Sequence, residues 1–228
     1  TQIILDPWRL GQKDSDLNPK DLADICCILH PSSAPARKAC YQIHKVTPEY
    51  ALANANAKTI GEPTINGSDP LQNDDYSCDI ALRLSSKLKS PATGGFYFGR
   101  NSQRCDFVIG KDASKRISNI HFWIYINVYG YLMLEDLSTN GTAVDGVLLR
   151  ANLKGRGIEH QHVLVHGSLI TLTMNLPKGE EDYRFVVRIP TRDQDSEEAY
   201  QENLSAYFSR IVQAKNERTL EISKVNIS

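Results

Sequence analysis

The segment FWIYINVYGYLMLEDLSTNGT, residues 122–142, contains the pattern on which the fold prediction rests. It begins with the β-branched and aromatic run Phe122–Ile126, which closes at Tyr129-Gly130. Apolar residues then return at every second position, at Leu132 and Leu134, before a tight turn at Asn140-Gly141. A period of two is typical of a strand with one buried face, and turns containing glycine commonly join antiparallel strands. The segment therefore predicts two neighbouring strands of an antiparallel sheet.

Similar short strand patterns recur on both sides of this segment, from residue 79 to residue 190, at a spacing of roughly 8–12 residues. They are Ile80–Leu84, Phe96–Phe98, Phe107–Ile109, Val147–Leu149, Val163–Leu172 and Arg184–Ile189. A parallel sheet needs crossover connections, usually helices, and residues 79–190 contain no helical pattern. The prediction is an all-β fold, an antiparallel β-sandwich, over residues 79–190.

The region before the sandwich, residues 1–78, is predicted to be an N-terminal extension. Residues 1–24 are polar and are expected to be irregular, because Asn18-Pro19 is a turn signal. The apolar run Ile25–Leu29 predicts a strand, and the composition of Ser32–Ala53 predicts short helices, with Ser33 as the N-cap and Pro48 as the division. Residues 54–78 are rich in Asn, Gly, Asp and Pro, which indicates a long exposed loop or a disordered insertion.

The region after Pro190, residues 191–228, is predicted to be a C-terminal helix and a linker toward a further domain. Its apolar residues recur at three- and four-residue steps from Tyr200 to Val212. Weak alternation over Thr219–Ile227 predicts a strand there. The chain does not begin with Met, so we interpret it as a fragment.

Composition excludes several classes of function. The chain has 228 residues, 41% of them hydrophobic, and a net charge of −1, so no general affinity for nucleic acid or an acidic membrane surface is expected. It contains no apolar run long enough for a membrane span and no secretory leader. Five cysteines, an odd number, form no C-x-x-C pair, which favours free thiols and a nuclear or cytoplasmic location.

Positive charge is concentrated in one stretch of this nearly neutral chain. Between Arg100 and Arg116 there are five basic residues (Arg100, Arg104, Lys111, Lys115, Arg116) and two acidic ones (Asp106, Asp112), an excess of 5 − 2 = +3. Loops at one end of a sandwich lie together, so this stretch can join residues distant in sequence. The pattern predicts a local binding site for an anion.

The residues flanking the basic stretch have the chemistry that phosphate recognition requires. A phosphorylated side chain carries about −1.5 to −2 charges and three acceptor oxygens. Arg100 supplies a planar fork of donors, and Ser118 and Thr139 supply hydroxyl groups. Asn119 and Asn140 can bond both the N–H and the C=O of an extended peptide. Each pattern alone is most often an ordinary turn, so the prediction rests on their joint occurrence.

Three separated motifs, Gly99-Arg100, Ser118-x-x-His121 and Asn140-Gly141, resemble the signature of forkhead-associated (FHA) domains. The resemblance extends over residues 79–190 and implies an FHA-type sandwich that binds phosphothreonine peptides. Arg116-Ile117-Ser118-Asn119 together with 136–142 resembles checkpoint-type serine/threonine protein kinases of the DNA-damage response. The element Ile28–Ser33 resembles the regulatory region of fungal members. The whole protein is then expected to be such a kinase, with its catalytic domain outside this chain.

The resemblance implies a role for each motif residue. Arg100 and Ser118 hold the phosphate, and Thr139 lies near it. Asn140 and Asn119 bind the main chain of the peptide. Arg116 reads the third residue after the phosphothreonine, and our hypothesis is that this residue is acidic. His121 has a structural role, because it braces the Ser118 loop. Gly99 and Gly141 are also structural and serve backbone geometry.

Other functions have weaker support. Gly94-x-x-x-x-Gly99-Arg100 lacks the Lys-Ser/Thr end of a nucleotide P-loop and is rejected as one. The even spacing of His160, His162 and His166 permits a zinc site, but a solvated strand is the more common meaning. No catalytic motif occurs in the chain, so we expect no enzyme activity, metal or cofactor here. The competing hypothesis is a phosphate-independent scaffold or dimerisation domain.

The expected partner is a phosphothreonine-containing protein or the protein's own phosphorylated segment. In the second case, binding would produce a phosphorylation-dependent dimer.

Overall fold

The computed structural model describes residues 17–52, 80–86, 94–110, 116–151, 160–172 and 182–225. The expected loop over residues 54–78 lies outside the described residues, and so do Lys111, Asp112 and Lys115. The chain divides into two compact units. One consists of residues 27–84 and 96–189, and the other of residues 1–26, 85–95 and 190–228.

The larger unit is a sandwich of two β-sheets. Its seven-stranded sheet has the order β2-β3-β1-β12-β11-β8-β9, and its five-stranded sheet has the order β10-β7-β6-β4-β5. The strands are β1 (Ile25–Pro31), β2 (Ala51–Leu52), β3 (Ala81–Ser85), β4 (Phe96–Gly99), β5 (Phe107–Val108), β6 (Phe122–Ile126), β7 (Leu132–Asp136), β8 (Thr142–Val144), β9 (Val147–Leu149), β10 (Gln161–Val163), β11 (Leu169–Leu172) and β12 (Tyr183–Arg188). The predicted β-sandwich is confirmed. The strand Ile25–Pro31, which the sequence analysis assigned to the N-terminal extension, is part of the seven-stranded sheet and pairs with β12.

One strand pair corrects the purely antiparallel prediction. β4 and β5 run parallel, with Phe98 opposite Phe107. The chain can return so quickly because Asn101 closes a compact turn, its backbone oxygen accepting from Cys105 N–H at 3.0 Å. The Asp106 carboxylate then accepts from the Tyr97 N–H at 2.8 Å, at the beginning of β4. Strand β5 has only two residues, so this short connection is sufficient.

The buried core lies between the two sheets and continues beneath the end of β4. The Phe98 ring stacks between Phe107, with ring centroids 4.4 Å apart, and Phe122, at 4.5 Å. All three rings are fully buried. Such aromatic pairs contribute about 0.5–1.5 kcal/mol each beyond the apolar area they bury. Residues 99 and 100 therefore directly follow a residue whose position is fixed by the packing of the core.

Helix α2 (Ala34–Val46) buries one face, formed by Ala36, Ala39, Cys40 and Ile43, in this core. Ser33 is the N-cap residue as predicted, but its hydroxyl accepts from the Arg184 N–H at 3.0 Å and does not cap the helix. A 3-10 helix, Pro48–Tyr50, follows. Residues 51 and 52 then form β2 where the sequence predicted helix, because they pair with β3.

The smaller unit contains helix α1 (Pro19–Asp24) and the long helix α3 (Gln194–Val225). The irregular structure expected for residues 1–24 is wrong for residues 19–24, because the Asn18 side chain accepts from the Asp21 N–H at 2.9 Å and Pro19 occupies the first turn. The strand expected over Thr219–Ile227 is wrong for residues 219–225. No Gly or Pro interrupts the chain from Gln194 to Val225, so the helix continues.

Arg192 connects the two helices of the smaller unit. Its buried guanidinium donates to the Leu22 carbonyl at 2.6 Å, the Ile25 carbonyl at 2.5 Å and the Pro190 carbonyl at 3.3 Å. The same group stacks on the Tyr200 ring of α3, 3.7 Å from its centroid.

Two further observations concern the described residues as a whole. No helix among them is long and apolar enough to cross a membrane. Their cysteines, Cys26, Cys27, Cys40 and Cys105, are free thiols, and burial raises the pKa of Cys26 to about 11.

Candidate functional site

The end of β4 lies directly against the loop that precedes β6. The Arg100 N–H donates to the Ser118 carbonyl at 3.1 Å, and the Asn101 N–H donates to the Asn119 carbonyl at 3.2 Å. A Cβ on Gly99 would lie 2.5 Å from the Asn119 carbonyl oxygen, closer than real Cβ atoms approach. Only glycine at position 99 allows this approach, and it brings Arg100 beside Ser118.

The His121 ring holds the Ser118 loop from inside. Its Nδ1 accepts from the Ser118 N–H at 3.1 Å, so the proton of the neutral ring is on Nε2, which faces the Gly141 carbonyl at 3.4 Å. Burial lowers the pKa of His121, and the charge of Asp136 and the bond to Gly141 only partly oppose this effect. The neutral ring therefore links the Ser118 loop to the loop between β7 and β8. The sequence analysis expected His121 to brace the Ser118 loop, and the structure contains that hydrogen bond.

The loop between β7 and β8, residues 137–141, forms the other side of the site. The Thr139 N–H donates to the Ser118 hydroxyl at 3.1 Å, and the Asn140 amide donates to the Arg116 carbonyl at 2.9 Å. Gly141 has a φ of +93°, a conformation that side chains rarely adopt, and a Cβ there would lie 2.8 Å from Leu148. Two separate bonds thus connect this loop to residues 116–118.

The structure brings all the site residues that the sequence predicted to one end of the sandwich. Arg100, Asn119, Thr139 and Asn140 have exposed side chains, Arg116 and Ser118 are half-buried, and His121, Gly99 and Gly141 are buried. A cleft of about 320 Å³ adjoins them and is lined by Arg100, Asn101, Ser102, Gln103 and Asn119. The sequence analysis assigned no role to the lining residues 101–103, although they directly follow the Gly-Arg motif.

The sequence analysis also assigned no role to a buried carboxylate beneath the site. Asp136 is fully buried, and its oxygens accept from the hydroxyls of Ser138, at 2.7 Å, and Thr142, at 2.8 Å, and from the Ala151 N–H at 2.9 Å. The signal was present in the sequence: Leu132, Leu134 and residue 136 are the inward positions of β7, and an acid occupies the third of them. An inward acid needs donors around it.

Two of the three histidines considered for a metal site, His162 and His166, lie in different elements and contact different backbone groups. His162 lies in β10, and its Nδ1 lies 2.7 Å from the Val163 carbonyl oxygen. His166 lies in the turn before β11, where its Nδ1 accepts from the Ile189 N–H at 3.2 Å. Within the described ranges, no group of three or more His, Cys, Asp or Glu side chains is arranged to hold a metal ion.

In chemical terms the site offers donors at an exposed rim. A guanidinium, two hydroxyls and two carboxamides come together, and each can donate to an oxyanion or to a peptide carbonyl. The exposed rim is held from below by the neutral His121 ring and by short loops that bond to one another.

Comparison with protein families identifies the region that carries this site. Residues 96–173 match the model of the FHA domain family. The matched region contains the end of β4, the Ser118 loop and the loop between β7 and β8.

The chain is also similar to a curated protein and to solved structures. The chain is 32% identical over 117 residues to the serine/threonine-protein kinase RAD53 of Saccharomyces cerevisiae, a match that covers 49% of this chain and 13% of that kinase. The N-terminal FHA domain of S. cerevisiae Rad53p, solved with a phosphothreonine peptide, is 28% identical, with 49% of this chain and 78% of that chain covered and a TM-score of 0.36. The FHA1 domain of yeast Rad53 is 20% identical, with 78% and 85% covered and a TM-score of 0.44.

Proposed function

We propose that this chain, which contains an FHA domain over residues 96–173, binds phosphothreonine peptides and so mediates phosphorylation-dependent contacts between proteins. The observation that carries the proposal is the bond from the Thr139 N–H to the Ser118 hydroxyl, at 3.1 Å, next to the bond from the Arg100 N–H to the Ser118 carbonyl. Three predicted phosphate ligands are thus neighbours on one rim.

In this proposal, the phosphate is held by Arg100 and Ser118. The guanidinium of an exposed arginine provides paired N–H donors that match two phosphate oxygens. The Ser118 hydroxyl accepts from Thr139, so a lone pair is used within the protein and its O–H can donate to a third oxygen. The exposed Thr139 side chain, whose backbone is fixed by the same bond, adds a donor near the phosphate.

The peptide main chain is bound by the two asparagines. Asn140 uses one of its two N–H donors on the Arg116 carbonyl, which fixes the orientation of the amide. The carboxamide still has a second N–H and a carbonyl oxygen, which suit the C=O and N–H groups of an extended peptide. Asn119, exposed at the edge of the cleft, has the same chemistry.

Arg116 is proposed to read the third residue after the phosphothreonine and to favour an acidic side chain. His121, Gly99 and Gly141 have structural roles in the proposal. Their burial and their contacts with the Ser118 loop and the 137–141 loop support these roles.

At the level of the whole protein, we propose that the chain is the regulatory region of a serine/threonine kinase in DNA-damage checkpoint signalling. The identity to RAD53 supports this, and the matched segment covers 13% of the length of that kinase. The proposed domains are an extension over 1–78 that contributes β1, α2 and β2 to the sandwich, the rest of the FHA sandwich over 79–190, and a helix and linker over 191–228. The proposed location of the protein is the nucleus or cytoplasm. The partner is a phosphothreonine protein or the protein's own phosphorylated segment, which would form a dimer.

Calorimetry with a pThr-x-x-Asp peptide, its unphosphorylated twin and the Arg100→Ala variant tests the binding function. A charge-assisted hydrogen bond contributes about 1.5–3 kcal/mol. Since about 1.4 kcal/mol is one decade of affinity, Arg100→Ala should weaken binding at least tenfold. Arg104→Ala is the matched control: it removes an exposed arginine from the same loop and should weaken binding much less than Arg100→Ala does, because it acts only through the general field.

The competing scaffold function has one observation in its favour. Tyr97, Trp123 and Tyr125 form a stacked row on the outer face of the five-stranded sheet, with centroids 5.7 Å and 4.1 Å apart. Aromatic side chains at a surface are common in protein interfaces. If the unphosphorylated twin binds as tightly as the phosphopeptide, the scaffold function replaces the phosphothreonine function.

A further inference from the structure

The carboxylate of Asp136 is fully buried, yet its hydrogen bonds lead outward to the binding rim. A buried carboxylate only accepts hydrogen bonds, so the groups around it must donate. Ser138 does so through its hydroxyl, at 2.7 Å from Oδ1. With its O–H turned toward Asp136, the Ser138 oxygen accepts from the Gly141 N–H, also at 2.7 Å. The carboxylate therefore determines that the Ser138 hydroxyl donates to Asp136 and accepts from Gly141.

The same turn is bonded to the rim at two points. The Gly141 carbonyl faces His121 Nε2, and the ring holds the Ser118 N–H on Nδ1. Thr139, inside the turn, donates its N–H to the Ser118 hydroxyl. If the turn shifts, both connections to Ser118 shift with it. A continuous set of hydrogen bonds thus connects the buried Asp136 carboxylate to Ser118.

We propose that Asp136 is a positioning residue for phosphopeptide binding, acting through the hydroxyl of Ser138. The proposal rests on the proposed phosphothreonine function and adds to it a residue that the peptide never touches. Asp136 holds Ser138, Ser138 closes the turn around Thr139 and Asn140, and the turn aligns those residues with Ser118.

Charge and acceptor capacity distinguish an acid from an amide at position 136. Three donors, from Ser138, Thr142 and Ala151, converge on the two carboxylate oxygens. In the Asp136→Asn variant, an N–H₂ group replaces one oxygen and faces a donor in either orientation of the amide. The remaining oxygen is neutral, so its bond to the Ser138 hydroxyl weakens.

The test compares Ser138→Ala, Asp136→Asn and the double variant with the unchanged chain. Ser168→Ala is the matched control, because Ser168 is also buried and its hydroxyl accepts the N–H of Val165, three residues earlier, at 3.1 Å. Both serine variants lose one buried hydroxyl and one bond that closes a turn, and Ser138→Ala also loses the bond to Asp136. We expect both variants to lose thermal stability, Ser138→Ala more than Ser168→Ala, and only Ser138→Ala to lose phosphopeptide affinity, about fivefold or more.

The double variant gives the decisive measurement by calorimetry. If Asp136 acts through Ser138, the double variant binds no more weakly than Ser138→Ala alone, because the connection is already broken. Losses that multiply, or a Ser138→Ala variant that binds like the unchanged chain, would overturn the proposal. The comparison of Ser138→Ala with the unchanged chain does not need Asp136→Asn, so the proposal stays falsifiable if that variant fails to fold.

Amide chemical shifts separate this proposal from the phosphothreonine function. In the free protein, Ser138→Ala should move the amide resonance of Ser118, 20 residues away in sequence, and Ser168→Ala should not. If the unchanged chain binds no phosphopeptide, the proposed function fails, whereas this shift still decides whether Ser138 positions Ser118. An unmoved Ser118 resonance in the Ser138→Ala spectrum contradicts the positioning role.

Discussion

Gly99 and Asn119 approach each other so closely that position 99 has no room for a side chain. A Cβ on Gly99 would lie 2.5 Å from the Asn119 carbonyl oxygen and 2.9 Å from the Cα of Ile120, and these backbone atoms cannot rotate away. We predict that Gly99→Ala displaces the Ser118–Asn119 loop. Overpacking of this kind costs about 1–3 kcal/mol. Urea unfolding should record the lost stability, and calorimetry a loss of phosphopeptide affinity.

Gly146→Ala is the control for this prediction. Gly146 has a φ of +82° with nothing within 4 Å of an added Cβ, so alanine there is strained but meets no neighbour. It should lose stability, by about 1 kcal/mol, with unchanged peptide affinity. If both variants bind equally well, the contact between Gly99 and Asn119 does not position the site.

Reversing the charge at Arg116 should reverse the preference for the peptide residue three positions after the phosphothreonine. The Arg116 side chain is half-buried, and its backbone carbonyl is fixed by Asn140. With Arg116→Glu, a peptide with Lys at that position should bind more tightly than one with Asp, the opposite of the unchanged chain, because the paired charges are now complementary. A four-way titration of two proteins with two peptides measures the preference.

Arg104→Glu makes the same change of charge in the neighbouring loop and is the control for the Arg116 reversal. It should lower the affinity for both peptides alike, through the general field, without changing their order. If Arg104→Glu also reverses the order, Arg116 does not read that residue.

Acidification should destabilise the fold through His121. Burial lowers the pKa of His121 below the ordinary value of about 6.5, so in that pH range the unfolded chain binds more protons than the folded chain. The part of the free energy of unfolding that depends on a neutral His121 is present in full above about pH 6.5. It is lost as the pH falls toward the folded-state pKa of His121. The charge of Asp136 opposes the lowering without cancelling it. Melting temperatures measured from pH 7.5 to pH 5 should fall, and less steeply for His121→Gln.

The histidine control is His162→Gln on β10. This variant should keep the slope of the unchanged chain, because only the loss of the buried ring removes the linkage. Identical slopes for His121→Gln and the unchanged chain would contradict the assignment of a neutral ring to His121.

Arg192→Lys should destabilise the smaller unit. Lysine lacks the planar fork that donates to the Leu22, Ile25 and Pro190 carbonyls and stacks on Tyr200. Buried bonds from a charged group contribute about 1.5–3 kcal/mol each, so part of this amount should be lost in urea unfolding. Arg210→Lys, an exposed position of α3, should have no measurable effect. Equal stability of the two variants would show that the guanidinium geometry is unimportant.

The sequence predicted correctly those strands whose own residues show which side faces the core. The alternation in residues 122–126 and 132–136 reports directly which side chains face the core, and β6 and β7 have these bounds. The Asn18-Pro19 pair was ambiguous, because it begins helices as readily as turns. The parallel pairing of β5 could not be predicted, since a strand of two residues is too short to show a period.

The candidate site divides in the same way. Gly99-Arg100, Ser118 and Asn140-Gly141 were recognisable because each lies in a short motif, and the sandwich brings the motifs together. Asp136 and Ser138 were not recognised as supports for the site. Their importance comes from burial and from donors distant in sequence, such as the Ala151 N–H, which a local pattern does not reveal.

The position of β1 has a practical consequence for work with excised fragments. Residues 96–173 carry the family likeness, but β1 lies between β3 and β12, and all three strands fall outside that range. Trimming the chain to the recognisable segment would strip Leu29, Phe185 and Val187 from the interior and leave β11 with a naked hydrogen-bonding edge. Unprotected edges invite aggregation. If a phosphopeptide titration of so short a fragment showed no binding, the cause would be the disrupted sheet and not a defect in the phosphate site.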